Sequence, residues 1–223
     1  MPSIEDRLEA VMSAPLGTLV DAGHRLRPPP EAVCAWRLPE SGLRALAEHG
    51  LPDDVLMTPA FQRGAEPTLV PNLAGPRERR LVTPDDRLYD LGRWGGHDLT
   101  PKMGAVRDDG PVLAIRPAPF TAADLPPVLR EVHADLYRPA VDFISSSVAQ
   151  LVELSWRWRA AIPVFVDLAE PAVGCPPEEF EAYLDRCDAC ERLVRTAVER
   201  IDPAIPADDP HTLWGELIRD RGC

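Results

Sequence analysis

Val141-Asp-Phe-Ile-Ser-Ser-Ser-Val-Ala-Gln-Leu-Val-Glu-Leu154 is the stretch that decides how this chain folds. Alternating Val141 and Phe143 read as the end of a β-strand. Ser145, Ser146 and Ser147 then offer side-chain oxygens to the amides that a helix start leaves without partners. An apolar stripe at helical spacing follows, through Val148, Leu151, Val152, Ser155 and Trp158. No Gly-x-Ser-x-Gly frame surrounds the serines. The segment is a strand-to-helix junction, with capping as a sufficient role for its hydroxyls.

Downstream, the pattern predicts three helices. The first runs from about Ser146 to Ala161 and stops before Pro163. The second opens at Pro176-Pro-Glu-Glu179, where proline and acids suit the missing amide and the helix dipole. Its inward stripe is Phe180, Leu184, Cys187, Val194, Val198 and Ile201, and Asp202-Pro203 ends it. The third begins near Asp209-Pro210 and buries Leu213, Trp214, Leu217 and Ile218.

Upstream lie short extended runs at Val55–Met57, Leu69–Val70, Arg80–Val82, Leu88–Gly92 and Val112–Ile115. Turn signals at Gly95-Gly96 and Asp109-Gly110 separate the later runs. This is the signature of a mostly antiparallel sheet. Val128 to Leu136 fits a helix and a strand equally, since periodicity does not arbitrate so short a run. A helix begins at Ser3, with Asp6 completing a capping box and Ile4, Leu8, Val11 and Met12 on one face. Another spans Glu40 to His49 and ends at Gly50.

The chain has 223 residues, 45% of them hydrophobic, enough for a substantial core. No apolar run reaches the roughly 18 residues of a membrane span. Met1-Pro-Ser-Ile-Glu-Asp-Arg lacks the pattern of a secretory signal, so a cytoplasmic location is expected. The formal net charge is −12, and Lys102 is the only lysine. That balance argues against a phosphate-backbone ligand and suits capture of a basic partner.

The motifs that invite chemistry have plainer readings. Cys187-Asp-Ala-Cys190 has redox or zinc spacing, but no second pair supplies a zinc site and the thiols fall mid-helix. Cys34, Cys175 and Cys223 complete an odd set with irregular spacing, unlike a disulfide framework. His97-Asp98 follows a glycine turn with no partner motif, although it permits a small metal-dependent hydrolase as an alternative reading. Trp156-Arg-Trp158 reads as core rather than a base-stacking platform. Acidic pairs at Asp53-Asp54, Asp85-Asp86, Asp108-Asp109 and Asp208-Asp209 sit where turns and caps need them, and also present negative charge.

Several segments together resemble the SUKH superfamily of immunity proteins, most closely its fourth family of actinobacterial type. Glu48-His-Gly-Leu-Pro52 is similar to that family's Gly-Leu-Pro segment before the first strand. Leu88-Tyr-Asp-Leu-Gly-Arg-Trp-Gly-Gly-His97 resembles its strand with Leu-Gly and Gly-Gly. Arg130-Glu-Val-His133 resembles a Gly-Glu-Val strand, which favours the strand reading of Val128–Leu136. Phe143 to Leu151 resembles its Phe-Val-Asn-Ser-Ser junction, with Ser145 where Asn is usual. Asp202-Pro203 and Asp209-Pro-His-Thr-Leu-Trp214 resemble its closing elements. Pro101 to Pro127 is longer and richer in proline than the typical hairpin.

The resemblance implies an α+β fold in one SUKH-like domain, a central mostly antiparallel sheet packed by helices. Residues 1–36 form an N-terminal helical extension, 37–144 the sheet-rich part and 145–223 the helical part. It implies a non-enzymatic protein without cofactor or metal that binds a cognate toxin of nuclease or deaminase type. A regulatory or scaffold protein of the same fold is the alternative. From loop chemistry the expected partner contacts are Asp85, Asp86, Trp94, His97, Asp98, Asp108 and Asp109. No nucleic acid or membrane partner is expected, and the oligomeric state is left open.

Overall fold

The computed structural model describes residues 2–97, 100–168, 171–209 and 211–220. The helices are α1 (Ile4–Ser13), α2 (Leu16–Leu19), α3 (Pro30–Ala35), α4 (Glu40–Glu48), α5 (Pro127–Arg130), α6 (Val148–Val166), α7 (Pro177–Ile201) and α8 (Leu213–Arg219). The strands are β1 (Arg25–Leu26), β2 (Leu51–Pro52), β3 (Met57–Pro59), β4 (Leu88–Trp94), β5 (Lys102–Val106), β6 (Val112–Ile115), β7 (Phe120–Thr121), β8 (Tyr137–Arg138) and β9 (Val141–Ser145). Five of them make one antiparallel sheet in the order β3-β4-β5-β6-β9.

Strand alternation divides this sheet into two apolar faces. Tyr89, Leu91, Met103, Ala105, Val112, Ala114 and Ile144 join the helices in the main core. Leu88, Val106, Leu113, Ile115 and Val141 face the other way, where Leu69, Leu73 and Val82 cover them. Gly92 lies beside the bulge in β4 with φ at 114°, and a Cβ there would overlap the Thr58 carbonyl and the Ala60 amide. Only glycine fits that approach.

α6 is the central helix of the main core and is buried on several sides, from Leu151 and Val152 to Trp156 and Trp158. The Trp156 indole donates to the Gly50 carbonyl at 3.1 Å. Arg157 is buried too, and its guanidinium donates to the Val11 and Ala14 carbonyls where α1 ends. The Val11 carbonyl otherwise accepts only the long Ala14 amide bond at 3.4 Å that closes the helix, so the cation is spent on a cap. The Trp156-Arg-Trp158 run is therefore packing and capping.

The serine junction is fastened from the far end of the chain. Asp202 follows α7 and is fully buried. Its carboxylate accepts from the Ser146 amide and the Ser146 hydroxyl, each at 2.6 Å, and from the Ala204 amide at 3.2 Å. Ser147 caps α6 through the Gln150 amide. Gln150 in turn donates to the Ile201 carbonyl, and the Trp214 indole donates to the Ile144 carbonyl at 3.0 Å.

Several sequence expectations need correction. Val128–Leu136 is not a strand: Pro127 opens the short helix α5, and the residues after it run as turns with most side chains exposed. Pro127 suits the first turn of a helix, and neither proline has an amide to donate to a ladder. α6 passes through Pro163 and ends at Val166. Val164 and Phe165 are buried beyond it, with Phe165 against Trp158 at 5.7 Å between ring centroids, which offsets the lost hydrogen bond. Arg80–Val82 is a tight turn followed by irregular chain, and Leu69 makes a single bridge to Leu88. The expected long hairpin is instead a tight β5–β6 turn, with the extra length in a separate excursion from β6 to β9.

Glu78 is buried and ties that excursion's base to the sheet. Its Oε1 accepts from the Ala140 amide at 2.9 Å and from the Tyr137 hydroxyl at 3.3 Å. Burial alone disfavours its charge, but its own amide, the Ala140 amide, the Tyr137 hydroxyl and the Gly75 amide together hold the carboxyl below its ordinary value.

Two stability predictions follow from these ties. Asp202→Ala removes a buried carboxylate that holds three donors and should cost about 3 kcal/mol. A thermal melt should fall by roughly 10 °C, whereas a melt within a degree or two of wild type would reject the anchoring role. Because the Glu78 value is depressed in the folded state, its contribution is present above about pH 4.3 and is lost as acid carries the pH down through the folded value. Glu78→Gln should flatten the decline of melting temperature between pH 5 and pH 3 relative to wild type. An unchanged decline would contradict this.

Candidate functional site

The structure splits the sequence-predicted contact residues between opposite ends of the sheet. Asp85 and Asp86 lie in the turn before β4, and Asp108 and Asp109 form the tip of the β5–β6 hairpin. The register places Leu88 opposite Val106, so these turns share one end. Trp94 and His97 belong to the other end, roughly 26 Å of extended chain from Asp86. Asp98 lies outside the described residues.

Local geometry further separates them. Asp86 is committed to its turn, accepting from the Thr83 amide at 2.6 Å. Asp108 pairs with Arg37 at 2.7 Å. Asp85 and Asp109 are exposed and form no ion pair among the described residues. Trp94 is only 8% exposed and packs edge-on against Trp214 at 5.2 Å between ring centroids. His97 is exposed, and its carbonyl accepts from the Thr100 hydroxyl at 2.7 Å.

A cleft of about 490 Å³ opens beside β9. Arg77, Asp135, Arg138, Asp142, Asp209 and His211 are among the residues lining it. Burial pushes the Asp142 carboxyl up, against the Phe143 amide and the nearby arginines 116, 138 and 77. Burial pushes the neighbouring Arg116 down, with Asp142 opposing. The other charges are engaged locally: Arg138 pairs with Glu216, and Arg77 lies over the Tyr137 ring at 5.6 Å. Among the described residues, no group of three His, Cys, Asp or Glu side chains is placed to hold a metal ion. Cys187 and Cys190 are both buried on α7.

Two projecting segments escaped the sequence reading. One is an arm from Phe120 to Arg138, closed at its base by the β7–β8 pair. It exposes Val128 (80%) and Val132 (76%), while Glu78 and the Arg116 bond to the Pro139 carbonyl hold its base. The Pro126-Pro127 pair was the available signal for it. The other is the first half of α7. Its stripe was expected to face inward throughout, yet Phe180 and Leu184 are each 44% exposed and burial begins at Cys187. Periodicity identifies a face; it does not show how far along a helix that face stays covered.

No helix among the described residues is long and apolar enough to cross a membrane. No curated protein and no solved structure matches the chain. A family model described as SUKH-4 immunity protein matches residues 11–220. The match runs from within α1 to the end of α8, so it takes in the sheet, the arm and the serine junction with its Asp202 anchor. The chain belongs to the SUKH-4 immunity protein family.

Proposed function

We propose that this protein neutralises a toxin that acts on nucleic acid, a nuclease or a deaminase, by binding it and covering its active site. The observation that carries this reading is a net charge of −12 in a member of an immunity family. An enzyme acting on nucleic acid needs a basic cleft to hold the phosphate backbone. Opposite fields speed encounter and penalise wrong partners. The protein itself performs no bond-breaking: its part is to occupy the surface where substrate would bind.

How the charges are distributed supports this reading. Several arginines are engaged within the fold, as Arg157 is at the end of α1 and Arg159 is with Asp54 at 3.0 Å. The acids remain in excess outside. Among the sequence-predicted contacts, Asp85 and Asp109 are the ones whose charge is both exposed and uncommitted, and they act in long-range steering. Asp86, Asp108 and His97 are retained as peripheral contacts; Trp94 contributes through the shape of the surface above it.

The test uses the toxin domain encoded beside this gene. Co-expression should restore growth of cells making that toxin. The Asp85→Ala/Asp109→Ala variant should slow association two- to fivefold at low salt and reduce its salt dependence, with dissociation nearly unchanged. Absence of rescue contradicts the immunity reading; an unchanged rate and salt slope contradict the steering role.

A further inference from the structure

The first half of α7 carries an apolar stripe away from the body of the protein. At about 100° per residue, Phe180, Leu184 and Cys187 share the face that continues through Val194 and Val198 into the core. Cys187 is where burial starts, and neither Phe180 nor Leu184 belongs to a core cluster. The stretch from Pro177 to Cys187 is roughly 15 Å of helix. Its start is set locally, by proline in the first turn and by Glu178 and Glu179 at the positive end of the helix dipole. The far end is locked by Asp202, by Gln150 on the Ile201 carbonyl and by Arg200 on the Met12 carbonyl. A helix formed in advance and anchored at one end offers its stripe with little ordering left to do on binding.

The flanks of the stripe restrict what can cover it. Glu181, Asp185 and Asp188 run along the edge beside Leu184, and Arg186 is the sole cation between Pro177 and Asp188. None of Glu178, Glu179, Glu181, Asp185 and Asp188 forms an ion pair among the described residues. A second copy of this chain would set the stripe against its own acids, and like charges facing each other cost affinity. Anionic lipid and nucleic acid are disfavoured for the same reason. A basic polypeptide surface with an apolar recess satisfies both features.

We propose that the projecting half of α7 is the principal docking element for the toxin. Phe180 and Leu184 enter an apolar groove, and Glu181, Asp185 and Asp188 meet cations on its rim. The binding mode is helix in groove. It rests on the toxin-binding reading above, and it adds which surface makes the contact and what chemistry the toxin presents there.

The experiment measures binding of the adjacent-gene toxin domain to three purified proteins. They are the wild type, the Phe180→Ser/Leu184→Ser variant and the Glu181→Lys/Asp185→Lys variant. Because both pairs lie outside the core, far-ultraviolet circular dichroism and melting temperature should stay close to wild type. The apolar variant should raise Kd about a hundredfold, as expected when buried anchors are lost. The charge-reversal variant should raise it at least tenfold, with the loss shrinking as salt is added. Wild-type affinity in both variants overturns this proposal and leaves toxin binding itself intact. Failure of the wild type to bind overturns the toxin reading and this proposal with it. A dimer seen by light scattering in the wild type and lost in the apolar variant would assign the stripe to a second copy instead.

Discussion

One buried carboxylate holds the architecture in register. Asp202 reaches from the end of α7 to the turn between β9 and α6, and takes both the amide and the hydroxyl of Ser146. A buried charge is tolerable only when donors surround it, and here three protein donors do. The consequence extends beyond the turn. β9 is the edge strand of the sheet, α6 is the central helix of the main core, and α7 is the longest helix. The Asp202 contact joins all three, and Trp214 adds α8 by bonding to the Ile144 carbonyl. α7 is consequently fixed at its C-terminal end, and its N-terminal half is free to project.

The sequence made the elements that follow local rules readable. Ser3 and Asp6 form the expected capping box, Gly50 ends α4 with φ at 62°, and Val148 to Trp158 forms a buried helix as its stripe indicates. The α+β class with an antiparallel sheet is present. What failed depended on tertiary contacts. α6 continues past Pro163 because Phe165 has a place against Trp158, which no local signal reveals. Val128–Leu136 lacks a strand neighbour, so its equal fit to two periods was decided by the prolines before it. The candidate contacts were chosen by residue type. That choice grouped Trp94 with Asp85 although the sheet holds them at opposite ends, and it passed over Phe180 and Leu184 because their spacing matched the core.

Charge use connects the fold to the function. Several arginines serve the fold itself, capping α1 through Arg157 and Arg200 and pairing across elements through Arg159 and Arg138. The acids on the projecting half of α7, with Asp85 and Asp109 in the turns, form no ion pair among the described residues. The result is a scaffold with its paired cations and buried acids in the fold and a surplus of unpaired acids on the surface. Long-range fields from dispersed acids set how fast a basic protein arrives, whereas an apolar stripe sets how long it stays. In the proposed complex the two roles fall on different residues.

The most direct test of toxin neutralisation by occlusion is a titration of toxin activity with this protein. Activity on a nucleic-acid substrate should fall in proportion to the amount of protein added, without dependence on incubation time. The toxin should recover full activity when the complex is separated. Inactivation by catalytic amounts, growing with time and leaving a chemically altered toxin, would contradict the account.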